Sequence, residues 1–409
     1  MAVNNMTIEQ ISSVLNAVVK QATGREPNID TTNTKNFVTV AQNLLKAGYD
    51  PVISAISQVL TRTIFSVRPY TAKFGGLYKD AQTWGNHVRK INFLDSDFEN
   101  DDRLPLTDGQ SVDPWVINKP KVIQTNFYGE VTYQRHVTIF KDQLDTAMSS
   151  PTEFASFISG VMSNINDQIQ QANEELDRAT LANFIGGKYA SDRYNVIHLV
   201  TEYNDYLGLE DDPTADPPVV NRYTSVTIRQ PAVYSEFIRW VYARIKNLTD
   251  LMAERSVKFH VLPKDAITQN DLPLLRHTPA DRLKMYLYSP VENEITARVL
   301  SELYHDDKLK LSDHERVTYW QNIDHPDSIN VDAVYYKASD GSTDNTGGIV
   351  LNNIFGLLFD EEAIGVTNVN EWSQSTPINP RGGYSNIYWH WTRRYWNDFT
   401  ENGLVLLLD

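Results

Sequence analysis

One long segment in the middle of the chain constrains the fold more than any other feature. Ser150, Pro151 and Glu153 stand in the order expected at a helix start, as N-cap, first-turn proline and capping-box glutamate. Gly186 and Gly187 predict its end. Between them, apolar residues recur at steps of three and four: Phe154, Ile158, Val161, Ile165, Ile169, Ala172 and Leu176. Such a helix is about 50 Å long at ~1.5 Å per residue, which favours an architectural element over an active-site scaffold.

The first 65 residues predict three shorter helices. Thr7 and Gln10 have capping-box spacing and open the first. Gly48 ends the second, and Asp50, as N-cap before Pro51, opens the third. Their apolar stripes are Ile8, Ile11, Leu15 and Val18, then Phe37, Val40, Leu44 and Leu45, then Ile53, Ile56 and Leu60. Because each stripe is narrow, this arm is expected to lie against another part of the protein.

Residues 84–133 predict a long hairpin-like excursion. Strand-rich stretches at 88–94 and 121–133 flank a polar middle, and a structureless loop of that length is improbable inside a compact domain. We therefore expect the excursion to project outward. Its tip carries five acids in eight positions: Asp95, Asp97, Glu99, Asp101 and Asp102. These like charges repel one another, so a basic surface nearby would stabilise them.

The second half of the chain predicts a mixed α+β structure. Pro231 opens a helix that carries Val233, Phe237, Trp240, Ile245 and Leu248. Strands are predicted at 257–262, 331–337 and 354–360, and 207–220 is a proline-rich acidic loop. Strands and helices do not alternate regularly, which excludes a βαβ fold.

Catalytic and membrane functions have little support in the sequence. The chain lacks the glycine-rich phosphate loops, the nucleophile elbow of serine hydrolases and the HExxH zinc motif. It has no cysteine, which excludes thiolate chemistry and disulfides. We find no secretory signal and no apolar run long enough to span a membrane, so a cytoplasmic origin is expected. The net charge of −15 opposes nucleic-acid binding unless basic groups gather on one face.

Polar clusters offer weak alternatives for metal binding. One set has imidazoles and carboxylates, and two loops have carboxylates that could hold calcium. None has the spacing of a known site, and a solvated polar edge is the better interpretation. The three sets are His305, Asp306, Asp307, His314 and Glu315; Asp211, Asp212 and Asp216; and Asp340 and Asp344.

The stretch 381–396, RGGYSNIYWHWTRRYW, is dense in aromatic and basic residues. As a strand it places Ile387, Trp389 and Trp391 on one face. Core packing explains this face best, because the apolar ending LVLLLD follows closely. Base stacking and sugar binding remain alternatives; a single-strand nucleic-acid binder would use Tyr388, Trp389, Trp391, Arg393 and Arg394.

In order of elements, the chain resembles the major capsid proteins of tailed double-stranded DNA bacteriophages, which have the Hong Kong ninety-seven fold. Two stretches carry the closest similarity. Residues 137–187, from VTIFKDQLDTAMSSPTEF to LANFIGG, resemble the spine-helix region of a phage capsid group. Residues 352–409, which include the DEEAIG turn and YWNDFTENG, resemble that group's carboxy-terminal segment, and the overall likeness favours a short-tailed phage.

The resemblance implies a shell-forming role without catalytic residues or cofactors. Pentamers and hexamers would tile an icosahedral head around packaged double-stranded DNA, assembled in the bacterial cytoplasm with a separate scaffolding protein and a portal. The implied parts are an arm (1–67), an extended loop (68–133), a peripheral domain with the spine helix (134–189), an axial domain (190–350) and a C-terminal segment returning to the core (351–409). The loop acids would then contact a neighbouring subunit.

Within the same fold, an encapsulin-like nanocompartment is an alternative, although the long arm and excursion favour a phage. Some members of the fold crosslink a lysine to an asparagine. Lys119 and Lys121 lie on the predicted loop, but no matching asparagine and glutamate can be identified, so crosslinking has no support in the sequence.

Overall fold

The computed structural model describes residues 8–24, 34–46, 48–62, 73–80, 87–94, 101, 105–115, 117, 119, 121–191, 194–212, 214, 220–264, 274–291, 293, 314–345 and 347–409. The helices, strands and contacts of the protein are those of these residues.

The arm contains the three expected helices: α1 (Ile8–Thr23), α2 (Thr34–Lys46) and α3 (Tyr49–Arg62). The role predicted for Asp50 is wrong, because α3 begins one residue earlier and Asp50 lies inside its first turn. Its carboxylate instead accepts a hydrogen bond of 2.7 Å from the backbone N–H of Ile378. A side chain predicted to cap its own helix thus ties the arm to a distant loop.

The hairpin predicted from the sequence is present. Strand β1 (Val88–Phe93) pairs antiparallel with β2 (Val122–Phe127), with Val88 opposite Phe127 and Phe93 opposite Val122. Strand β3 (Glu130–Phe140) follows and leads directly into the short helix α4 (Lys141–Ala147).

The long helix, α5 (Pro151–Ala190), has 40 residues, or about 60 Å at ~1.5 Å per residue. Ser150 caps it as predicted, since its Oγ accepts a hydrogen bond of 3.1 Å from the N–H of Glu153. The predicted stop at Gly186 and Gly187 is wrong, because α5 continues through both. A Cβ at Gly186 would lie 2.5 Å from Val331 Cγ2, and one at Gly187 would lie 2.4 Å from Phe399 Cζ. These glycines therefore allow close packing and do not end the helix.

Strand β4 (Val196–His198), helix α6 (Leu199–Leu207) and helix α7 (Pro231–Ala253) follow, the last opened by Pro231 as predicted. The predicted strand at 257–262 is wrong. This segment, which is buried at residues 259–261, is irregular, and its backbone groups bond elsewhere: Phe259 O accepts from Gly403 N at 3.0 Å, and Val261 N donates to Phe399 O at 3.0 Å.

Six strands lie between α7 and the C-terminal segment: β5 (Leu283–Tyr288), β6 (His314–Val317), β7 (Ile329–Val331), β8 (Tyr335–Tyr336), β9 (Thr343–Asp344) and β10 (Ile349–Leu351). The strand predicted at 331–337 is divided, because its two ends pair with different partners, β10 and β9. Short ribbons replace one continuous strand.

The C-terminal segment closes both larger sheets with β11 (Ile354–Asp360), β12 (Ile364–Ser375), β13 (Tyr384–Asn397) and β14 (Gly403–Leu407). A five-stranded sheet has the order β4-β14-β11-β5-β6, and a three-stranded sheet has the order β12-β13-β3. The predicted strand at 354–360 is confirmed, and all its residues are buried.

Three apolar clusters divide the core. The first half of α5, the arm and β13 form one; α6, α7 and one face of the five-stranded sheet form the second. The second half of α5 and the other face of that sheet form the third. Helix α5 therefore links the arm to the five-stranded sheet.

Candidate assembly surface

The outer face of the β1–β2 hairpin carries three exposed apolar side chains beside the polar Arg89 and Gln124. Ile91, Phe93 and Val122 are 47%, 70% and 50% exposed, and Phe93 lies opposite Val122 in the pairing register. A two-stranded ribbon is at best marginally stable alone, and exposed apolar patches mark interaction sites. Such a face is suited to burial against another molecule.

The inner face of the hairpin is held to the protein by Lys90. Its ammonium lies 2.5 Å from Glu401 Oε1 and 2.9 Å from Asp398 Oδ2. Arg276 Nη2 contacts the same Glu401 oxygen at 3.0 Å. The Phe127 ring also packs on Trp396, with centroids 6.3 Å apart. Charged contacts thus join the hairpin to the loop between β13 and β14, and an aromatic contact joins it to the end of β13.

The charged groups of this anchor shift one another's pKa values. Burial alone would raise the pKa of Asp398, but Lys90 and hydrogen bonds from Thr400 hold it below its ordinary value. Burial raises the pKa of Glu401 despite the opposing effect of Lys90 and Arg276. Burial favours neutral Lys90, yet the two carboxylates outweigh it and raise the pKa of the lysine. The contacts therefore favour the charged forms of both Asp398 and Lys90.

Directly beneath the anchor, Lys188 of α5 is fully buried. Its Nζ donates to the carbonyl oxygens of Phe259, Phe399 and Glu401 at 3.1, 3.3 and 2.8 Å. Burial lowers the pKa of Lys188 to about 7, and Asp398 and Glu401 oppose that shift. One lysine thus joins the spine, the 257–262 segment and the loop before β14.

A crossing segment, residues 73–80, leads from the arm towards the hairpin over the middle of α5. Phe74 and Leu77 are buried, and the Arg178 guanidinium lies 5.0 Å from the centre of the Phe74 ring. Lys79 N donates to Val366 O at 2.8 Å, and Lys79 Nζ contacts Glu361 Oε1 at 3.0 Å. The crossing segment is therefore fastened to the spine and to β12.

Asp177 of α5 lies beneath the crossing segment and is inaccessible to solvent. Neither of its carboxylate oxygens completes a hydrogen bond among the described residues. Burial raises the pKa of Asp177 to about 7, and the nearby Tyr78 hydroxyl and Arg393 guanidinium lower it only in part. The spine thus carries a buried acid that titrates near neutral pH.

The predicted contact acids are only partly described. Asp101 is exposed, whereas Asp95, Asp97, Glu99 and Asp102 lie outside the described residues. Lys119 and Lys121 are exposed, as expected for an outer loop. Sequence reasoning missed the apolar outer face and the Lys90 anchor. The alternation of Ile91 and Phe93 with Lys90 and Asn92 was the available signal, because it places the two sets on opposite faces.

The predicted spine residues face the core as their spacing indicated. Phe154, Ile158, Ile165 and Leu176 are buried, and Val161 is half-buried against the same cluster.

Core packing is the correct interpretation of the aromatic stretch. Ile387, Trp389 and Trp391 are buried against the arm and the first half of α5. Arg393 and Arg394 are also buried. Four of the five residues named for single-strand binding are therefore not available to stack or bind a strand, and only Tyr388 is half-exposed.

The proposed metal sites find no support among the described residues. No group of three or more histidines or acids there could hold a metal ion. Asp211 accepts hydrogen bonds from the N–H groups of Asn221 and Arg222, and Asp340 accepts from Ser342, so these carboxylates stabilise their own loops. Asp216, His305, Asp306 and Asp307 lie outside the described residues. No described helix is long and apolar enough to cross a bilayer.

The family model of Phi29-like phage major capsid proteins matches residues 15–406, which is nearly the entire chain. The chain belongs to this family. No curated protein matches the sequence.

The fold is shared with a chain of one solved phage capsid. In the capsid structure of Staphylococcus phage Andhra, a chain 10% identical in sequence superposes with a TM-score of 0.50, covering 85% of this capsid protein and 87% of that chain. A chain from the head fibre and inner core protein structure of bacteriophage P68 has a TM-score of 0.47, 10% identity, and coverages of 85% and 87%. One from the mature capsid of bacteriophage PhiM1 has a TM-score of 0.41, 12% identity, and coverages of 84% and 89%.

Family membership identifies the role of the capsid protein. It is a structural subunit of a bacteriophage capsid, it associates with copies of itself in the shell, and it has a Hong Kong ninety-seven-like α+β fold. The expectation of a tailed-phage capsid protein is confirmed, and the comparisons give no support to the encapsulin alternative.

Proposed function

We propose that the capsid protein forms pentamers and hexamers that close into an icosahedral shell around packaged double-stranded DNA, with the β1–β2 hairpin lying on a neighbouring subunit. The exposed apolar face of Ile91, Phe93 and Val122 carries this proposal. Lys90 fixes the hairpin base, so the face is presented in a defined orientation. Burial of that face on a neighbour would stabilise the contact through the hydrophobic effect.

The parts of the subunit follow the order of elements. We assign residues 1–67 to the arm, 68–133 to the extended loop, 134–189 to a peripheral domain around α5, 190–350 to an axial domain, and 351–409 to a segment that returns to both. The division between the apolar clusters along α5 supports a peripheral and an axial part. The axial domain would meet the centre of each capsomer.

The acids at the hairpin tip give the contact its charge. Asp95, Asp97, Glu99, Asp101 and Asp102 would face basic groups of the neighbour, which relieves their mutual repulsion. Electrostatic complementarity of this kind sets the orientation and the rate of association more than its affinity.

The structure of the arm and the net charge indicate the other partners of the capsid protein. The arm is three short amphipathic helices packed into the core, and it lacks the long charged coiled coil of a fused scaffold. A separate scaffolding protein and a portal would therefore complete assembly in the host cytoplasm. A net charge of −15 favours weak, nonspecific contact with the packaged DNA. No catalytic role is proposed.

Expression of the full chain, alone and with the neighbouring phage genes, tests the proposal. Light scattering would give the particle mass, and electron microscopy would show the products. Closed shells or rings of five and six subunits are expected. A stable monomer under both conditions would contradict the proposal.

A further inference from the structure

A groove of about 760 Å³ opens beside the first half of α5, between that helix, α4 and β3. Its floor is apolar and includes Val137, Phe157 and Val161, which are half-buried against the arm cluster. Its ionisable lining residues are Asp142 and Glu153, both acidic and both exposed. The groove is thus a hydrophobic trough with negative charge at its rim.

Gly160 is a second, independent indication that the groove is unfilled. It lines the groove in the interior of α5, where glycine is among the least favourable residues. Its backbone does not require glycine, since its φ is not positive, and an added Cβ would meet no atom within 4 Å. At Gly186 and Gly187, in contrast, the space of the missing side chain is occupied by Val331 and Phe399 of the same chain. The space at Gly160 has no occupant within the described part of the subunit.

We propose that this groove binds an amphipathic segment of a separate assembly protein, whose apolar side chains fill the trough and whose lysines or arginines face Asp142 and Glu153. The inference rests on the proposed function, because it gives the separate scaffolding partner a docking site.

Charge selects this occupant over the alternatives. Packaged DNA carries one phosphate per nucleotide and would be repelled by the acidic rim. A second copy of the capsid protein has a net charge of −15, and its projecting hairpin is tipped with acids. A basic amphipathic segment is complementary to both the floor and the rim.

Two variants at one position test the groove. Gly160→Phe fills the trough, whereas Gly160→Ala adds only a methyl group in open space; both replace glycine by a better helix former. Each full-length variant is co-expressed with the neighbouring phage genes, and closed shells are counted by electron microscopy. We expect about tenfold fewer closed shells for Gly160→Phe, equivalent to ~1.4 kcal/mol of lost binding, and near wild-type numbers for Gly160→Ala. Wild-type numbers for Gly160→Phe, or an equal loss for Gly160→Ala, would overturn the proposal.

Crosslinking identifies the occupant directly. Because the chain has no cysteine, Ser156→Cys at the groove creates a single thiol that can carry a benzophenone label. After irradiation of assembling particles, mass spectrometry should find a segment rich in apolar residues and lysine or arginine from another polypeptide. Crosslinks to a second capsid subunit or to DNA, or shells without any crosslink, would contradict the proposal.

Further controls distinguish a folding defect from a loss of binding at the groove. Circular dichroism reports whether Gly160→Phe folds, and the double variant Asp142→Lys with Glu153→Lys reverses the rim charge without filling the trough. That variant should also reduce closed shells about tenfold, and normal numbers would count against the acidic rim. If the wild-type protein forms no shells, the proposed function fails; if wild-type and all groove variants form them equally, only this inference fails.

Discussion

Gly187 lies directly against the ring of Phe399, so close that an added Cβ would stand 2.4 Å from Cζ. The backbone of the spine helix is thereby in contact with an aromatic ring of the loop before β14. Lys188, the next residue, donates to the carbonyl oxygens of Phe399 and Glu401 in that loop. Close packing and hydrogen bonding therefore act at adjacent positions of one helix.

We expect Gly187→Ala to destabilise the subunit by about 1–3 kcal/mol, because the methyl group overpacks a filled site. Urea denaturation of the unassembled protein measures this free energy of unfolding. Gly160→Ala is a matched control on the same helix, where the added Cβ meets nothing. It should stabilise the subunit by up to ~1 kcal/mol through helix propensity. Equal effects of the two substitutions would contradict this account of the glycines.

Removal of the Lys90 ammonium should destabilise the anchor. Lys90→Met keeps the apolar stem but leaves Asp398 and Glu401 with less positive charge, at a cost of about 3 kcal/mol. Asp398→Asn in the Lys90→Met background should recover part of this loss, and urea denaturation of both variants checks the coupling. If the losses of stability caused by Lys90→Met and by Asp398→Asn add up in the double variant, the charged pair does not hold the hairpin base.

The same substitution changes acid denaturation. The folded-state pKa of Asp398 is lowered, so this carboxyl contributes stability above its unfolded pKa, and the contribution is lost as pH falls towards the folded value. Without Lys90, burial dominates and raises the pKa of Asp398. Lys90→Met should therefore unfold at a higher pH than wild type, as followed by circular dichroism during acid titration.

Asp177 should make stability fall as pH rises. Its pKa is about 7 in the folded subunit and 3.8 in the unfolded chain, so the native state binds more protons between these values. Its contribution to the free energy of unfolding decreases by up to ~1.4 kcal/mol per pH unit across that window. Asp177→Asn should reduce the difference in the free energy of unfolding between pH 5 and pH 8 by about 2 kcal/mol. The variant should also be more stable than wild type at pH 8. Denaturation curves at both pH values that match wild type would contradict this assignment.

Phe93→Ser should impair shell formation without changing the stability of the subunit, because the side chain is 70% exposed before assembly. Loss of a buried aromatic anchor costs roughly 2 kcal/mol or more at an interface. Phe93→Leu, which keeps an apolar side chain, serves as the control. Light scattering and thermal unfolding distinguish an interface effect from a folding effect.

Reversal of the five tip acids to lysine should also impair assembly and leave the monomer folded. The variant changes Asp95, Asp97, Glu99, Asp101 and Asp102. Like charge would then face the proposed basic surface of the neighbour, and the association rate should fall most at low salt. Normal shells from this variant, seen by electron microscopy, would refute the contact.

The sequence predicted the elements whose signals are local. The Ser150 cap, the apolar stripe from Phe154 and the alternation around Trp389 each depend on neighbours within a few residues, and all three are confirmed. The resemblance to capsid proteins supplied the fold as a whole. Of the candidate surface, the hairpin strands and the exposure of Asp101 were expected from the sequence, whereas the exposed apolar side chains and the Lys90 anchor were not.

The errors share a physical cause, which is contact between distant parts of the chain. The glycines at 186 and 187 have the local signature of a helix end, but Val331 and Phe399 determine their role. Residues 257–262 have strand composition, yet their backbone groups bond to Lys188, Phe399 and Gly403. Lys90 gave no local signal of its partners, since Asp398 and Glu401 lie some 300 residues away in sequence.

The length of α5 has a consequence for a shell of many subunits. The helix packs at one end against the arm and at the other against the five-stranded sheet, so a rigid tilt of the helix would displace both contacts. For a rod of ~60 Å, a tilt of about one degree at one end displaces the other by roughly 1 Å. Small adjustments at a subunit edge thus become atomic-scale shifts at the opposite end. The length of the helix thus sets how far one end of the subunit moves when the other end tilts.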